Sequence, residues 1–257
     1  MHPPGILSKN TDKEKEPLFR QVCYRCFRPT KNCLCSDIKA FNTHSRFVIL
    51  MHPKESRKVK LGTGRLTHLY LKNSEILSGV DFTEDQRVNR MIKDPAYYPV
   101  LLYPGENSID ISEFHFPVGV PNKKKILVFV IDASWTLARK MLRLSTNLLA
   151  LPKIHFRPQG PSRYVIKQQP HEYCLSTIES VHFLLQELDR LGIEECRGQH
   201  RSLVDFLDKI CRLQLENTEN ASLPGYRKNA ATPSGKKRWP DKSRYPGKRQ
   251  KRSVYFD

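Results

Sequence analysis

Apolar positions along this chain follow two alternating rhythms. Short β-rich runs, Phe47 to Met51, Val100 to Tyr103, Ile126 to Ile131 and Tyr164 to Ile166, are separated by stretches in which apolar residues return every three or four positions. Compact apolar runs bounded by turn formers read as buried strands, and the wider spacing reads as amphipathic helices. Their alternation predicts an α/β fold with a mostly parallel sheet flanked by helices. The clearest helix begins near Ile178 and carries Val181, Leu184, Leu185, Leu188 and Leu191 on one face, with Ser176 and Glu179 spaced as a capping box at its start. Leu203, Phe206, Leu207 and Ile210 predict a second helix from Arg201 to Leu215, and Thr136 to Leu144 a shorter one entered directly from the strand ending at Ile131. The sequence has no internal repeat.

Both ends lack this periodicity. Residues 217–257 hold eleven Lys plus Arg against three Asp plus Glu, together with Pro224, Gly225, Pro233, Gly235, Pro240, Pro246 and Gly247. Such a segment buries too little apolar surface to offset its ordering entropy, so a flexible basic tail is expected there and a flexible N-terminus over 1–17. Between them, 18–40 reads as a small cysteine-rich unit and 41–216 as the main domain. The 257 residues carry a formal charge of +18, from 44 Lys plus Arg against 26 Asp plus Glu, and 39% are hydrophobic. That is enough apolar material for a core, and it points to an acidic partner. Apolar runs such as Ile126 to Ile131 fall far short of the roughly 20 residues of a membrane-spanning helix. Met1 to Lys15 lacks the apolar stretch of a secretory signal, so a cytoplasmic protein with no membrane association is expected.

In a reducing compartment cysteines read as thiols or metal ligands before disulfides. Four of the seven, Cys23, Cys26, Cys33 and Cys35, fall within thirteen residues, whereas Cys174, Cys196 and Cys211 are scattered. A CxxC turn aims two sulfurs at one point, and a second close pair completes a tetrahedral zinc site. Four sulfurs leave no position for substrate or water, so such a metal is structural. Arg20, Arg25, Arg28 and Lys31 surround it, as a basic face for phosphates or as a plain solvated charge run.

Loops after the strand C-termini of an α/β sheet converge on the ligand crevice. His52 and Glu55 follow the first strand at its lip, although a His beside Pro53 is also an ordinary turn residue. Gly62-Thr63-Gly64 is too short for a phosphate loop and reads equally as a helix start capped by Thr63. Tyr103-Pro104-Gly105 repeats the pattern of strand and sharp turn. Asp132-Ala133-Ser134-Trp135 puts a carboxylate and an indole at a strand end. Asp132 is placed there to accept a proton or bind an ammonium group, or to serve as the N-cap of the next helix. Trp135 also fits ordinary core packing. The segment from Arg163 through Gln168 and Pro170 to Leu175, Ser176 and Thr177 leads into a helix N-terminus, whose free N–H groups and dipole suit a carboxylate or other anion.

Taken in order, "CYRCFRPTKNCLC", "LMHPKESRK", "TGRL", "LLYPG", "IDASW" and "RYVIKQQPHEYCLSTIES" resemble the DTW-domain family of tRNA-uridine aminocarboxypropyltransferases. The family signature, Asp, any residue, Thr or Ser, then Trp, reads here Asp132, Ala133, Ser134, Trp135. The resemblance implies transfer of the 3-amino-3-carboxypropyl group of S-adenosylmethionine to N3 of a tRNA uridine, releasing 5'-methylthioadenosine. It also implies a SPOUT-like fold whose C-terminal loops wrap the cofactor, a knot being one form that wrapping takes. On that reading Asp132, Ser134 and Trp135 are catalytic, Asp132 helping to remove the N3 proton. His52, Glu55, Tyr103, Pro104, Gly105, Gln168, Pro170, Leu175, Ser176 and Thr177 then hold the donor, and the four clustered cysteines hold structural zinc. Lys236 to Arg238 and Lys248 to Arg252 suit an RNA-binding arm or a nuclear-import signal. Two other readings stand beside it: a methyltransferase acting on RNA with the same donor, and a non-enzymatic zinc-containing RNA-binding module.

Overall fold

The computed structural model describes residues 21–58, 62–105, 107–113, 124–166 and 173–219. Among them six strands, β1 (Arg46–Met51), β2 (Ser74–Ser78), β3 (Tyr97–Leu102), β4 (Ser108–Asp110), β5 (Lys125–Asp132) and β6 (Lys153–His155), form one sheet in the order β2-β1-β5-β3-β6-β4. Every pairing is parallel. Ile126 to Val130 of the central strand are buried without a break, as expected of a strand covered on both faces. The helices are α1 (Pro53–Lys58), α2 (Thr63–Tyr70), α3 (Gln86–Lys93), α4 (Trp135–Leu144), α5 (Thr146–Leu149), α6 (Thr177–Arg190) and α7 (Arg201–Glu219).

Two apolar layers sandwich the sheet. Phe47, Val128 and Val130 pack with Leu66 and Tyr70 of α2, with Ile178 to Leu188 of α6 and with Leu203 to Ile210 of α7. The alternate side chains Val48, Leu50, Leu127 and Phe129 pack with Val88 of α3, Met141 and Leu142 of α4 and Leu148 of α5. After β1 the chain passes through α2 to β2 on one side; after β5 it passes through α4 and α5 toward β6 on the other. Right-handed crossovers running in opposite directions must use opposite faces. The β1–β5 boundary is therefore where the connections part, which opens a crevice at the strand C-termini.

Several elements differ from the sequence expectation. Tyr164 to Ile166 is a turn, not a strand. The Tyr164 N–H donates to Ser162 Oγ at 3.1 Å and the Val165 N–H to the Arg163 carbonyl at 2.8 Å, so local acceptors take the groups a ladder would use. β3 starts three residues early and contains Pro99. Leu101 and Tyr103 donate toward β6, to the carbonyls of Pro152 and Ile154. Pro99 shares their side, at a level where β6 has not begun, and its missing N–H leaves no ladder bond unmade. Gly62, not Thr63, is the N-cap of α2. Residues 217–219 of the expected tail continue α7; the rest of the tail and the expected loose N-terminus, 1–17, lie outside the described residues. No helix among the described residues is long and apolar enough to cross a membrane.

Phe129 is fully buried in the central strand, so Phe129→Ala is expected to destabilise the protein by about 3–5 kcal/mol. Urea unfolding checks this as a lower midpoint with an unchanged slope.

Candidate active site and metal centre

Side chains alternate along β5, so Asp132 follows Val128 and Val130 onto the face covered by α2 and α6. Its carboxylate is buried, and Oδ1 accepts a hydrogen bond from Thr177 Oγ1 at 2.6 Å. On its other flank lies α2. A Cβ built on Gly64 would stand 2.5 Å from both Cγ and Oδ2 of Asp132, so only glycine lets the helix backbone come this close. Arg65, next in α2, is drawn electrostatically to Asp132, and its guanidinium lies 4.0 Å from the centre of the Phe27 ring. Asp132 is not a helix cap, since Ser134 is the N-cap of α4.

The parts around this carboxylate are separately fixed. Ser134 is exposed, and Trp135 opens α4 with its ring 6.4 Å from that of Tyr103, inclined at 55°. Tyr103 follows β3; its N–H donates to the Ile154 carbonyl and its own carbonyl accepts from Ser108 Oγ at 3.1 Å. Burial raises the Tyr103 phenol above its usual range, which keeps it protonated. Half-buried Pro104 and Gly105 continue the turn, which closes with Ser108 N–H donating to the Gly105 carbonyl at 3.0 Å. Thr177 follows Ser176, which is held by the buried Glu179 (1% exposed), whose carboxylate accepts from Ser176 N–H, Ser176 Oγ, Ser162 Oγ and Arg163 N–H at 2.5–2.9 Å. Leu175 packs against the core beside it. Gln168 and Pro170 lie outside the described residues.

His52 follows β1 in the alternation of Val48 and Leu50, toward the opposite layer from Asp132. The two are joined through the backbone, His52 N–H donating to the Asp132 carbonyl at 3.0 Å. His52 Nδ1 accepts from Lys54 N–H at 3.0 Å, which assigns the ring proton to Nε2. Burial first, then Lys54, depresses its pKa, so the ring is neutral at physiological pH. Glu55 N–H donates to the His52 carbonyl at 2.9 Å in the first turn of α1. Sequence reasoning singled out Asp132, Thr177, Tyr103 and Trp135 separately; the structure brings Asp132 to Thr177 and Tyr103 to Trp135. It passed over Gly64 and Arg65, whose signal was the TGRL string itself, and Tyr164, which it took for strand. Burial first, then the charges of Cys211, Glu55, Asp132 and Glu179, pushes the Tyr164 phenol up to about 12.

The cysteine unit packs beside α2. Cys23 and Cys35 sulfurs are 3.8 Å apart, as are those of Cys26 and Cys33, and all four lie within 4.8 Å of one another. A zinc tetrahedron with Zn–S of about 2.3 Å has sulfur–sulfur edges of about 3.8 Å, so the donor set fits that metal and closes it off from substrate. Backbone N–H groups of Cys26 and then Arg25 pull the Cys23 thiol down to about 6. Buried Arg28 is lowered by burial and held up by the charges of Cys26 and Cys33; its cation balances part of the thiolate charge. Leu34 and Ile38 join the main core, and Phe27 meets Arg65, so the cluster and the Asp132 crevice share one helix.

The model of the DTW domain family matches residues 20–215. A tRNA-uridine aminocarboxypropyltransferase 2 of Drosophila melanogaster is 29% identical over 209 residues, covering 78% of this chain and 78% of that protein. Proteins of the same name from Macaca fascicularis and Mus musculus are each 29% identical over 77% of this chain, which spans 65% of their length. No solved structure matches.

In an open helical position Gly→Ala stabilises by about 0.5–1 kcal/mol. At residue 64 the added methyl meets Asp132, and Gly64→Ala is expected to destabilise by about 1–3 kcal/mol instead. A double-mutant cycle in thermal unfolding checks the cause: the penalty shrinks in the Asp132→Ala background.

Proposed function

This chain belongs to the DTW-domain family, and from that membership we propose that it is an enzyme transferring the 3-amino-3-carboxypropyl group of S-adenosylmethionine to N3 of a uridine in tRNA. The curated relatives carry the name of that activity. The observation that carries the reading is the buried Asp132 carboxylate, held by the Thr177 hydroxyl and faced by the bare backbone of Gly64 at the point where the sheet's connections part. S-adenosylmethionine supplies a sulfonium with three electrophilic carbons, of which the γ-carbon of the methionine-derived arm must meet the nucleophile. As the N3–carbon bond forms, the sulfur–carbon bond breaks, its electron pair stays on sulfur, and neutral 5'-methylthioadenosine leaves.

Asp132 receives the N3 proton of the uridine as that bond forms. The Thr177 hydrogen bond fixes the direction in which the carboxylate points, and the Arg65 charge lies near it. Trp135 and Tyr103 supply an aromatic wall for a ring of donor or base, with Ser134 at its edge. The Tyr103–Gly105 turn, the segment from Gln168 through Pro170 to Thr177, and His52 with Glu55 at the lip hold the donor. The clustered cysteines hold structural zinc. The SPOUT-like architecture belongs to this proposal, supported by a parallel sheet with its crevice at the strand ends. So does a cytoplasmic location.

Transfer chemistry of this kind is governed by position. A well-oriented pair of reactants gains about 7–11 kcal/mol over free encounter, so no catalytic metal is required. The partner follows from the charge of +18: Lys and Arg displace counterions from an RNA backbone, giving salt-sensitive binding.

With zinc-loaded protein, S-adenosylmethionine and tRNA, Asp132→Asn is expected to lower turnover by about 10²–10⁴-fold. Circular dichroism and donor affinity, measured beside the rate, should stay near wild type; undiminished turnover removes Asp132 from the chemistry. The by-product of the wild-type reaction separates methylthioadenosine from S-adenosylhomocysteine, and the latter would make this a methyltransferase. Truncation after residue 219 is expected to weaken tRNA binding and flatten its salt dependence without changing donor affinity. Unchanged RNA affinity would rule out an RNA-binding arm.

A further inference from the structure

Three side chains far from the clustered cysteines in sequence converge at the turn between α6 and α7. Asp189 lies in the last turn of α6, Cys196 in the connection, and His200 just before α7 begins. The chain reverses at Gly192, with φ of 72°, and Ile193 and Glu194 return their N–H groups to the Leu188 carbonyl at 2.9 and 3.2 Å. The buried Glu194 carboxylate then accepts from His44 N–H at 2.8 Å and Ser45 N–H at 2.6 Å, which ties the connection to the start of β1. Arg197 and Gly198, with φ of 46° and 76°, fold it back once more. As a result a carboxylate oxygen of Asp189, the Cys196 sulfur and a ring nitrogen of His200 all lie within 4.8 Å of one another.

Two of the three are in the interior. Cys196 is 3% exposed and His200 is 6% exposed. His200 Nδ1 is buried and has no hydrogen-bond partner among the described residues. An imidazole nitrogen withdrawn from water without a partner costs free energy and calls for an account. The neighbours hold the ring without satisfying it. His182 Nδ1 donates to the His200 carbonyl at 2.9 Å, and the two rings stand 5.1 Å apart at 30°. Cys196 N–H donates to Asp189 Oδ1 at 2.9 Å, and among the described residues the Cys196 thiol has only the Leu185 carbonyl, at 3.7 Å.

We propose that Asp189, Cys196 and His200 form a second metal site, for a zinc-like divalent cation. Sulfur, imidazole nitrogen and carboxylate oxygen together suit zinc and exclude the all-oxygen cages of magnesium and calcium. A thiolate, a carboxylate and a neutral imidazole sum to two negative charges, so the loaded site is neutral, as burial demands. The donors close by about an ångström to reach zinc distances, and three protein ligands leave a fourth position for water. Binding displaces the thiol proton, turns the sulfur from the Leu185 carbonyl to the metal, and staples the end of α6 to the entry of α7, a connection that Glu194 already ties to the start of β1. The site is independent of the function proposed above.

The test is metal content of the full-length protein, purified with zinc and measured by native mass spectrometry. Two zinc ions per chain are expected, falling to one in Cys196→Ser and in His200→Asn, while Cys26→Ser loses the other. A single ion in the wild type, or two ions that persist in both variants, overturns the proposal. Should the variants fail to fold, cadmium-113 NMR of the wild type decides. Two resonances are expected, one typical of four thiolates and one of mixed sulfur, nitrogen and oxygen; the four-thiolate resonance alone refutes the site.

Discussion

One contact organises this end of the molecule: the backbone of α2 at Gly64 against the carboxylate of Asp132. A Cβ there would stand 2.5 Å from the carboxylate, so the helix can approach β5 only with no side chain at that point. From this approach follow the position of Arg65 beside the carboxylate and, through Arg65 and Phe27, the seat of the cysteine unit. The sequence separation between Gly64, Asp132 and Thr177 is large, yet the three meet because β1, β5 and the entry to α6 all end at the same edge of the sheet.

The far side of the crevice depends on a second constraint, the buried Glu179. A carboxylate removed from water must be matched by donors, and it collects four from Ser162, Arg163 and Ser176. The reciprocal form of the capping box thus reaches beyond its own helix and draws in the loop arriving from β6. Removing one donor leaves an acceptor buried at a cost of about 1–3 kcal/mol, so the loop and the helix entrance are set as one piece. Thr177 inherits its position from that piece.

What could be read from the sequence was whatever carried a long or dense signal. The run Ile126–Val130 and the helical spacing from Ile178 to Leu191 gave the central strand and the packing helix, and the two close pairs of cysteines gave a four-sulfur cluster with the geometry of a metal site. Short elements gave little: β4 and β6 are three residues each, and β2 has only Leu77 buried. Tyr164 to Ile166 misled because Tyr164 enters the core and Val165 points out, the alternation of a strand, while their N–H groups bond within the loop. Gly64 stood in the sequence only as part of the TGRL string, since its role is a close approach, which has no periodicity. The triad at the α6–α7 turn was hidden for a similar reason, since a lone Cys196 and a lone His200 mean nothing until two left-handed residues bring them together.

The same geometry bears on why a buried carboxylate suits the proposed transfer. A sulfonium donor needs little activation and offers more than one carbon, so selectivity must come from where the nucleophilic nitrogen is held. An exposed aspartate on a loop samples many rotamers and would deprotonate the base in many orientations. Asp132 has one arrangement available: the β5 ladder fixes its backbone, the His52 N–H holds its carbonyl, Thr177 binds Oδ1 and α2 closes the remaining flank. Loss of any one of these freedoms costs entropy during folding, before substrate arrives. On the proposed reading, a proton acceptor fixed in this way serves a base presented along one direction, and the placement of the donor against that base selects the carbon that reacts.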